Sequence, residues 1–185
     1  MWRFVRGVML ALLLAVILGV LLRGPLYRTV VNYKVVGLRH TTGRALPSSI
    51  ATGSNRADLE AMIDMALDTT SDRLHFSTGK VSNDPAVLED GGAANCIGYS
   101  ALFKRLLQRE LSKTGNADTY VVEQVIGQLH VGSWNLHSAF NSPFWKDHDI
   151  VRITDVTTDA IIYVDPTLHD AVGVGRVSGP VRPAN

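Results

Sequence analysis

The sequence contains a single cysteine, Cys96, among its 185 residues. A lone thiol cannot close a disulfide within the chain, so this residue is either a small buried hydrophobe or a reactive group. Charged residues make up only 19 % of the chain and the net charge is +1, which argues against a nucleic-acid-binding surface. No internal repeat or low-complexity tract is present. A length of 185 residues predicts one compact domain once the N-terminus is set aside.

Acidic residues are absent from the N-terminus, where an apolar run follows two arginines. Arg3 and Arg6 precede an uninterrupted apolar stretch of 16 residues from Gly7 to Leu22, and Arg23 closes it. As a helix this stretch rises about 24 Å, and flanking residues can extend it toward the ~30 Å of a hydrocarbon core. A cleaved signal peptide is the alternative, but no small-residue cleavage site follows. We expect residues 1–25 to form a single-pass anchor in the cytoplasmic membrane, with the domain on the extracytoplasmic side.

The rest of the chain predicts an α+β domain. Residues 26–38 are rich in Val and Tyr and predict a juxtamembrane strand, and residues 39–54 predict a linker. Apolar residues at helical spacing predict helices over 57–75 and from Cys96 to Leu111. The other predicted elements are a loop over 77–95 and strands at Tyr120–Ile126, Leu129–Trp134, His148–Thr154 and Ala160–Asp165. Because helices precede strands, residues 55–185 are expected to form helices packed on an antiparallel sheet.

Cys96 lies where the second helix is predicted to begin. Asn95 is a good N-cap residue and would put Cys96 in the first helical turn. There the unpaired backbone N–H groups and the helix dipole stabilise a thiolate, and the same N–H groups could hold a developing oxyanion. A buried structural cysteine is the alternative interpretation, and position alone does not decide between the two.

The last two predicted strands bring a histidine and an aspartate together. If the chain turns symmetrically through Thr154–Asp159, His148 lies directly opposite Asp165. Opposed side chains on one face of a sheet have Cβ atoms about 4.5–5.5 Å apart, so the carboxylate could orient the imidazole. The turn is not a tight Asn-Gly turn that would fix this register. His137 is a rival base, although the same pairing would place its partner beyond the second strand.

Three segments resemble the transglutaminase-like superfamily of cysteine peptidases and acyltransferases. Cys96-Ile-Gly-Tyr-Ser-Ala resembles the nucleophile segment at a helix start, and His148-Asp-Ile-Val-Arg-Ile resembles the strand that carries the histidine. Tyr163-Val-Asp165-Pro-Thr resembles the strand that ends in Asp-Pro-Thr. The three occur in the family's order, and the resemblance covers about residues 55–170. The chain departs from many relatives in having alanine, not glycine, two positions before the cysteine.

The resemblance implies a papain- or transglutaminase-like core and a triad of Cys96, His148 and Asp165. In such enzymes the cysteine attacks an amide or ester carbonyl, the histidine transfers protons and the aspartate holds the imidazole tautomer. Water or an amine then resolves the thioester, so hydrolysis and acyl transfer both stay open. The implied substrate is a protein or peptide with an amide or glutamine-like carbonyl, with no cofactor. The alternative is a non-catalytic transglutaminase-like module for binding or scaffolding at the cell envelope.

A metal site is a further alternative near the proposed base. His130 and His137 are seven positions apart and precede Asp147, His148 and Asp149, and both histidine and aspartate can bind zinc. No H-E-x-x-H pattern is present, so we favour loop or surface histidines over ligands. The two aspartates that flank His148 are expected to tune the base or to face water.

Overall fold

The chain folds as a mixed α+β structure in a computed structural model that describes residues 2–39, 56–139 and 147–180. Its helices are α1 (Trp2–Leu21), α2 (Arg23–Val30), α3 (Arg56–Arg73), α4 (Pro85–Leu88), α5 (Cys96–Lys113) and α6 (Pro166–Val172). Its strands are β1 (Val31–Leu38), β2 (Leu74–Phe76), β3 (Gly92–Ala94), β4 (Tyr120–Val131), β5 (Trp134–Asn135), β6 (His148–Asp155), β7 (Ile161–Val164) and β8 (Arg176–Val177). A 3-10 turn spans Leu136–Ala139.

Six of the strands form one antiparallel sheet. Its order is β1–β4–β6–β7–β8, and β5 pairs with β4. The strands β2 and β3 form a separate parallel pair. The predicted α+β class with an antiparallel sheet is thus confirmed. Two details differ: the strands predicted at Tyr120–Ile126 and Leu129–Trp134 merge largely into β4, and the loop predicted over 77–95 contains α4 and β3.

Two apolar clusters hold the helices and strands together. The larger one joins α3 and α5 to one face of the sheet, and its fully buried members include Ile63, Leu67, Leu102, Phe103 and Val151. The smaller one includes Tyr33, Val125, Ile150, Tyr163 and Val177. Because successive residues of a strand point to opposite faces, neighbours such as Ile150 and Val151 belong to different clusters. Burying each large apolar side chain contributes roughly 1.5–3 kcal/mol.

The juxtamembrane strand predicted over residues 26–38 is present only in its second part. Arg23–Val30 is helical, and the strand begins only at Val31. Tertiary contacts override the β propensity of valine and tyrosine here, since Ser178 Oγ donates to the carbonyl of Arg28 at 2.9 Å and ties α2 to the domain. The strand β1 then pairs with β4 and forms an edge of the main sheet. Apart from its first residue, the predicted linker over 39–54 lies outside the described residues.

Helix α1 carries an exposed apolar surface at the N-terminus, in the region of the anchor predicted over 1–25. Within the described ranges, no single helix is both long and apolar enough to cross a membrane. The helical segments Val5–Leu21 and Arg23–Val30 meet that description by length and composition only as a pair, with a bend of 68° between them.

The β6–β7 hairpin has the predicted faces but a different register. Val151 pairs with Val164, so the prediction that His148 lies directly opposite Asp165 is wrong by two residues. The turn explains the difference, because the Asp155 carboxylate accepts two backbone N–H groups of the turn and moves its centre one position along the chain. A shift of two residues leaves each side chain on the face that was predicted for it.

Candidate active site

Cys96 is the first residue of α5, which confirms the predicted helix start. The side chain of Asn95 caps this helix, and its oxygen accepts the backbone N–H groups of the next two helical residues at 3.0 and 3.3 Å. The cysteine is buried. Gly98 allows a close approach here, since a Cβ at this position would lie 3.0 Å from side-chain carbons of Leu88 and Ala94. The local sequence therefore fixes the thiol at a capped, tightly packed helix start.

His148 and Asp165 are in direct contact. His148 Nε2 lies 2.7 Å from Asp165 Oδ2, so the proximity predicted for this pair is confirmed. The histidine begins β6, whereas the aspartate immediately follows β7. With the register two residues away from direct opposition, the two side chains are diagonal neighbours on one face, which is within reach of a histidine.

The ring of His148 also meets the thiol of Cys96. The Cys96 side chain lies close enough to the ring to raise the pKa of His148, and Asp165 engages the Nε2 side of that ring. Burial alone lowers the pKa of His148, but the Asp165 carboxylate and Cys96 outweigh burial and raise that pKa to about 10. The imidazolium form is therefore favoured at neutral pH, and it balances the buried Asp165 carboxylate.

Asp165 is fully buried and held by three donors. Its Oδ1 accepts the backbone N–H of Leu168 at 2.9 Å, because Asp165 is the N-cap of α6. Its Oδ2 accepts the hydroxyl of Tyr33 at 2.8 Å in addition to the His148 ring. Burial raises the pKa of Asp165, but the positive charge of His148 and these hydrogen bonds outweigh it and hold that pKa below its usual range. The carboxylate is thus both charged and fixed in orientation.

Asp149 has a different environment from the one expected. It is fully buried and does not face water, whereas Asp147 is exposed. The guanidinium of Arg39 binds the Asp149 carboxylate through two contacts of 2.9 and 2.7 Å, and Gln124 Nε2 donates to it at 2.7 Å. Ser100 Oγ on α5 donates to the Asp149 carbonyl at 2.9 Å. This cluster joins β6 to α5 behind the candidate site.

Tyr33 is the site residue that the sequence did not reveal. It lies 132 positions from Asp165, in a segment interpreted as a strand leaving the membrane. Its alternation with exposed neighbours in β1 marks an inward-facing residue but does not identify its partner. The side chain of the rival base His137 lies outside the described residues, and so does the segment 140–146.

No metal-binding arrangement of three or more His, Cys, Asp or Glu side chains occurs in the part of the chain that the structure describes. No family model, curated protein or solved structure matches this chain. Support for a function therefore comes from the geometry around Cys96.

Proposed function

We propose that this protein is a membrane-anchored cysteine enzyme of transglutaminase-like type, with Cys96 as nucleophile, His148 as base and acid, and Asp165 as the orienting carboxylate. The supporting observation is that the imidazole of His148 is bonded to a fully buried carboxylate and lies beside the Cys96 thiol, which contributes to the raised pKa of the ring. A binding or scaffolding module has no need of such a cluster, which costs desolvation of a charge. The packing of α5 on the antiparallel sheet also agrees with a papain- or transglutaminase-like core.

The first half of the reaction forms a thioester. The Cys96 sulfur attacks the carbonyl carbon of an amide, an S–C bond forms, and the carbonyl electron pair moves to oxygen. The cap engages the next two N–H groups of α5, so the oxyanion role expected of the helix start falls to the N–H of Cys96 and the helix dipole. As the carbonyl re-forms, the C–N bond breaks and the His148 imidazolium gives its proton to the leaving nitrogen.

The second half of the reaction releases the acyl group. Neutral His148 takes a proton from water or from an amine as that nucleophile attacks the thioester carbonyl. The C–S bond then breaks, the thiolate returns, and the imidazolium pairs with it again. Water gives a carboxylic acid and an amine gives a new amide. The substrate class is a protein or peptide with an amide or glutamine-like carbonyl, and the reaction needs no cofactor.

Alkylation by iodoacetamide tests the nucleophile directly. At pH 7 only a few per cent of an ordinary thiol is thiolate, so the paired Cys96 should react roughly 10- to 30-fold faster than free cysteine. Cys96→Ser should abolish labelling while the circular dichroism spectrum is retained. His148→Ala should reduce the rate to that of free cysteine, whereas the matched change His137→Ala should not. Reaction no faster than free cysteine across pH 6–8 would refute the proposal.

A p-nitrophenyl ester tests acyl chemistry as distinct from thiol reactivity. The protein should release a stoichiometric burst of p-nitrophenolate as Cys96 becomes acylated, and mass spectrometry should locate the acyl group on that residue. A reactive thiol that alkylates quickly but never acylates would favour a binding module instead.

We also propose that residues 1–25 anchor the domain in the cytoplasmic membrane, on its extracytoplasmic side. The exposed apolar surface of α1 and the arginines that flank it support this location. The protein should sediment with membranes and keep its N-terminal residues by mass spectrometry. A mature start beyond Leu22 would replace the anchor with a cleaved signal peptide. Protease added to spheroplasts should digest the domain, and full protection would reverse the orientation.

A further inference from the structure

Two tyrosine hydroxyls connect helix α2 to the candidate triad. The hydroxyl oxygens of Tyr27 and Tyr33 are 2.7 Å apart, and the Tyr33 hydroxyl lies 2.8 Å from Asp165 Oδ2. A tyrosine hydroxyl has one hydrogen, and a carboxylate can only accept, so the hydrogen of Tyr33 is directed to Asp165. Tyr27 must then be the donor to Tyr33. The chain of hydrogen bonds therefore has one direction, from α2 to the carboxylate.

Tyr33 contacts both members of the His148–Asp165 pair. Its ring centroid is 6.0 Å from that of His148, with the planes tilted by 38°, while its hydroxyl binds Asp165. The side chain is 2 % exposed. Burial, followed by the nearby Asp165 charge, raises the pKa of Tyr33 well above its ordinary value. Its hydroxyl therefore remains a protonated donor throughout the neutral pH range.

Helix α2 is held against the domain by bonds other than those of its tyrosine. Ser178 Oγ donates to the Arg28 carbonyl of α2, and the Ser178 carbonyl accepts the backbone N–H of Tyr33, each at 2.9 Å. One residue near the end of the sheet thus fixes both α2 and the start of β1. The Tyr27 hydroxyl is presented to Tyr33 by a docked helix that directly follows the apolar helix α1.

We infer that Tyr33 is a positioning residue for Asp165 and His148, that Tyr27 supports it, and that helix α2 beside the anchor is thereby part of the catalytic centre. The hydrogen bonds are observed, but their role in catalysis rests on the proposed function. A donor to a carboxylate stabilises the charged form, and a second donor behind it polarises the first. The titratable groups facing Asp165 are His148 from β6 and Tyr33 from β1; Tyr27 is bonded to Tyr33, and Cys96 lies beside His148.

The test compares three tyrosine-to-phenylalanine variants of the full chain. Tyr33→Phe and Tyr27→Phe each remove one hydroxyl of the chain and keep the ring. Tyr163→Phe is the matched control, because Tyr163 is also buried and its hydroxyl donates to the Pro180 carbonyl at 3.3 Å instead. The measurement is the iodoacetamide rate of Cys96 from pH 3 to 8, together with the unfolding midpoint in urea.

The expected result is a displaced acid limb of that pH profile. Loss of a donor raises the pKa of Asp165. Once protonated, Asp165 no longer balances the imidazolium that pairs with the thiolate, so the alkylation rate falls. In Tyr33→Phe this fall should occur at a pH about one unit higher than in the native protein. Tyr27→Phe should move the limb in the same direction by a few tenths of a unit. Tyr163→Phe should leave the limb in place even though it lowers the urea midpoint.

Nitrogen-15 NMR of the histidine rings tests the role of the tyrosines independently of the proposed function. The His148 resonances, identified by their loss in His148→Ala, report Asp165 protonation whether or not the thiol reacts. A slow thiol in the native protein would refute the proposed function while the ring titration still tests the tyrosines. An unchanged acid transition in folded Tyr33→Phe would overturn the inference. If Tyr33→Phe does not fold, an unchanged transition in the half-buried Tyr27→Phe would overturn it instead.

Discussion

Asp149 and Asp165 are two fully buried carboxylates with different partners. The Asp149 carboxylate is bound by the guanidinium of Arg39 and the amide of Gln124. The Asp165 carboxylate is bound by the imidazole of His148, a tyrosine hydroxyl and a backbone N–H. Gln124, which donates to Asp149, also donates to the Ile97 carbonyl of α5, whereas the tyrosine that donates to Asp165 belongs to β1.

The difference between these carboxylates lies in what their partners can do. An arginine does not release its proton in a protein, and its hydrogen bonds to Asp149 raise the pKa of Arg39 further. The Arg39 guanidinium therefore has no proton to transfer, and the cluster holds β6 in place. The imidazole of His148 can gain and lose a proton while it contacts a thiol. Equal burial thus serves structure at Asp149 and, under the proposed function, proton transfer at Asp165.

The largest effect should follow from Asp165→Asn. An amide cannot balance the imidazolium, so the pKa of His148 should fall from about 10 toward its ordinary value of 6.5. The imidazolium–thiolate pair would then be lost at a lower pH, and acyl transfer should drop by up to about ten-thousand-fold, as in other triads. Ring titration by NMR and the ester burst measure both effects. An unchanged His148 titration would remove the distinction between the two carboxylates.

The stability of the fold should depend on pH through the same His148–Asp165 pair. Because the folded pKa of His148 lies above its unfolded value, the stabilisation is fully present below about pH 6.5 and is lost as pH rises through about 10. The native protein should therefore lose thermal stability across that window relative to Asp165→Asn. Equal slopes of Tm against pH for the two proteins would contradict the raised pKa.

Part of this site could be predicted because its signals are local. Asn95 before Cys96 is a cap signal, and strand alternation assigns His148 and Asp165 to one face. The register could not be predicted from the turn, but a two-residue shift keeps the faces and therefore the contact. Tyr33 lies 132 positions from its partner, and no local pattern records such a pairing.

The same reasoning explains the errors elsewhere in the fold. Asp149 was expected to tune the base or to face water because it lies beside His148 at the polar start of a strand. Its partner Arg39 is 110 positions away, so the local sequence does not indicate that Asp149 is buried. The residues Arg23–Val30 contain valine and tyrosine, yet docking on the domain makes them helical. Secondary-structure propensity is a weak preference that tertiary contacts override.

Asp149→Asn should damage stability more than reactivity. The change leaves the guanidinium of Arg39 without its counter-charge, and because that side chain is 31 % exposed, we expect a loss of about 2–3 kcal/mol, less than for a fully buried pair. Urea denaturation measures the loss, and the thiol should keep its alkylation rate within a few-fold. Asp147→Asn is the matched control, since its exposed side chain should change stability by less than about 0.5 kcal/mol. If Asp149→Asn kept its stability but alkylated slowly at Cys96, Asp149 would have a role in the reaction and not in the fold.

Ser100→Ala should have the smallest effect and tests how the structural cluster supports the chemical one. Ser100 is fully buried one turn after Cys96, and its hydroxyl donates to the carbonyl of Asp149, the residue after His148. Its removal should cost about 1 kcal/mol of unfolding free energy and slow alkylation by no more than about twofold, because the triad contacts stay intact. Ser112→Ala is the control: that hydroxyl also donates to a backbone carbonyl, at 2.8 Å, but within α5 itself, so its loss should cost only a few tenths of a kcal/mol. If Ser100→Ala slowed the thiol as strongly as Asp165→Asn, the cluster at Asp149 would control the chemistry, and the separation of the two carboxylates by function would be wrong.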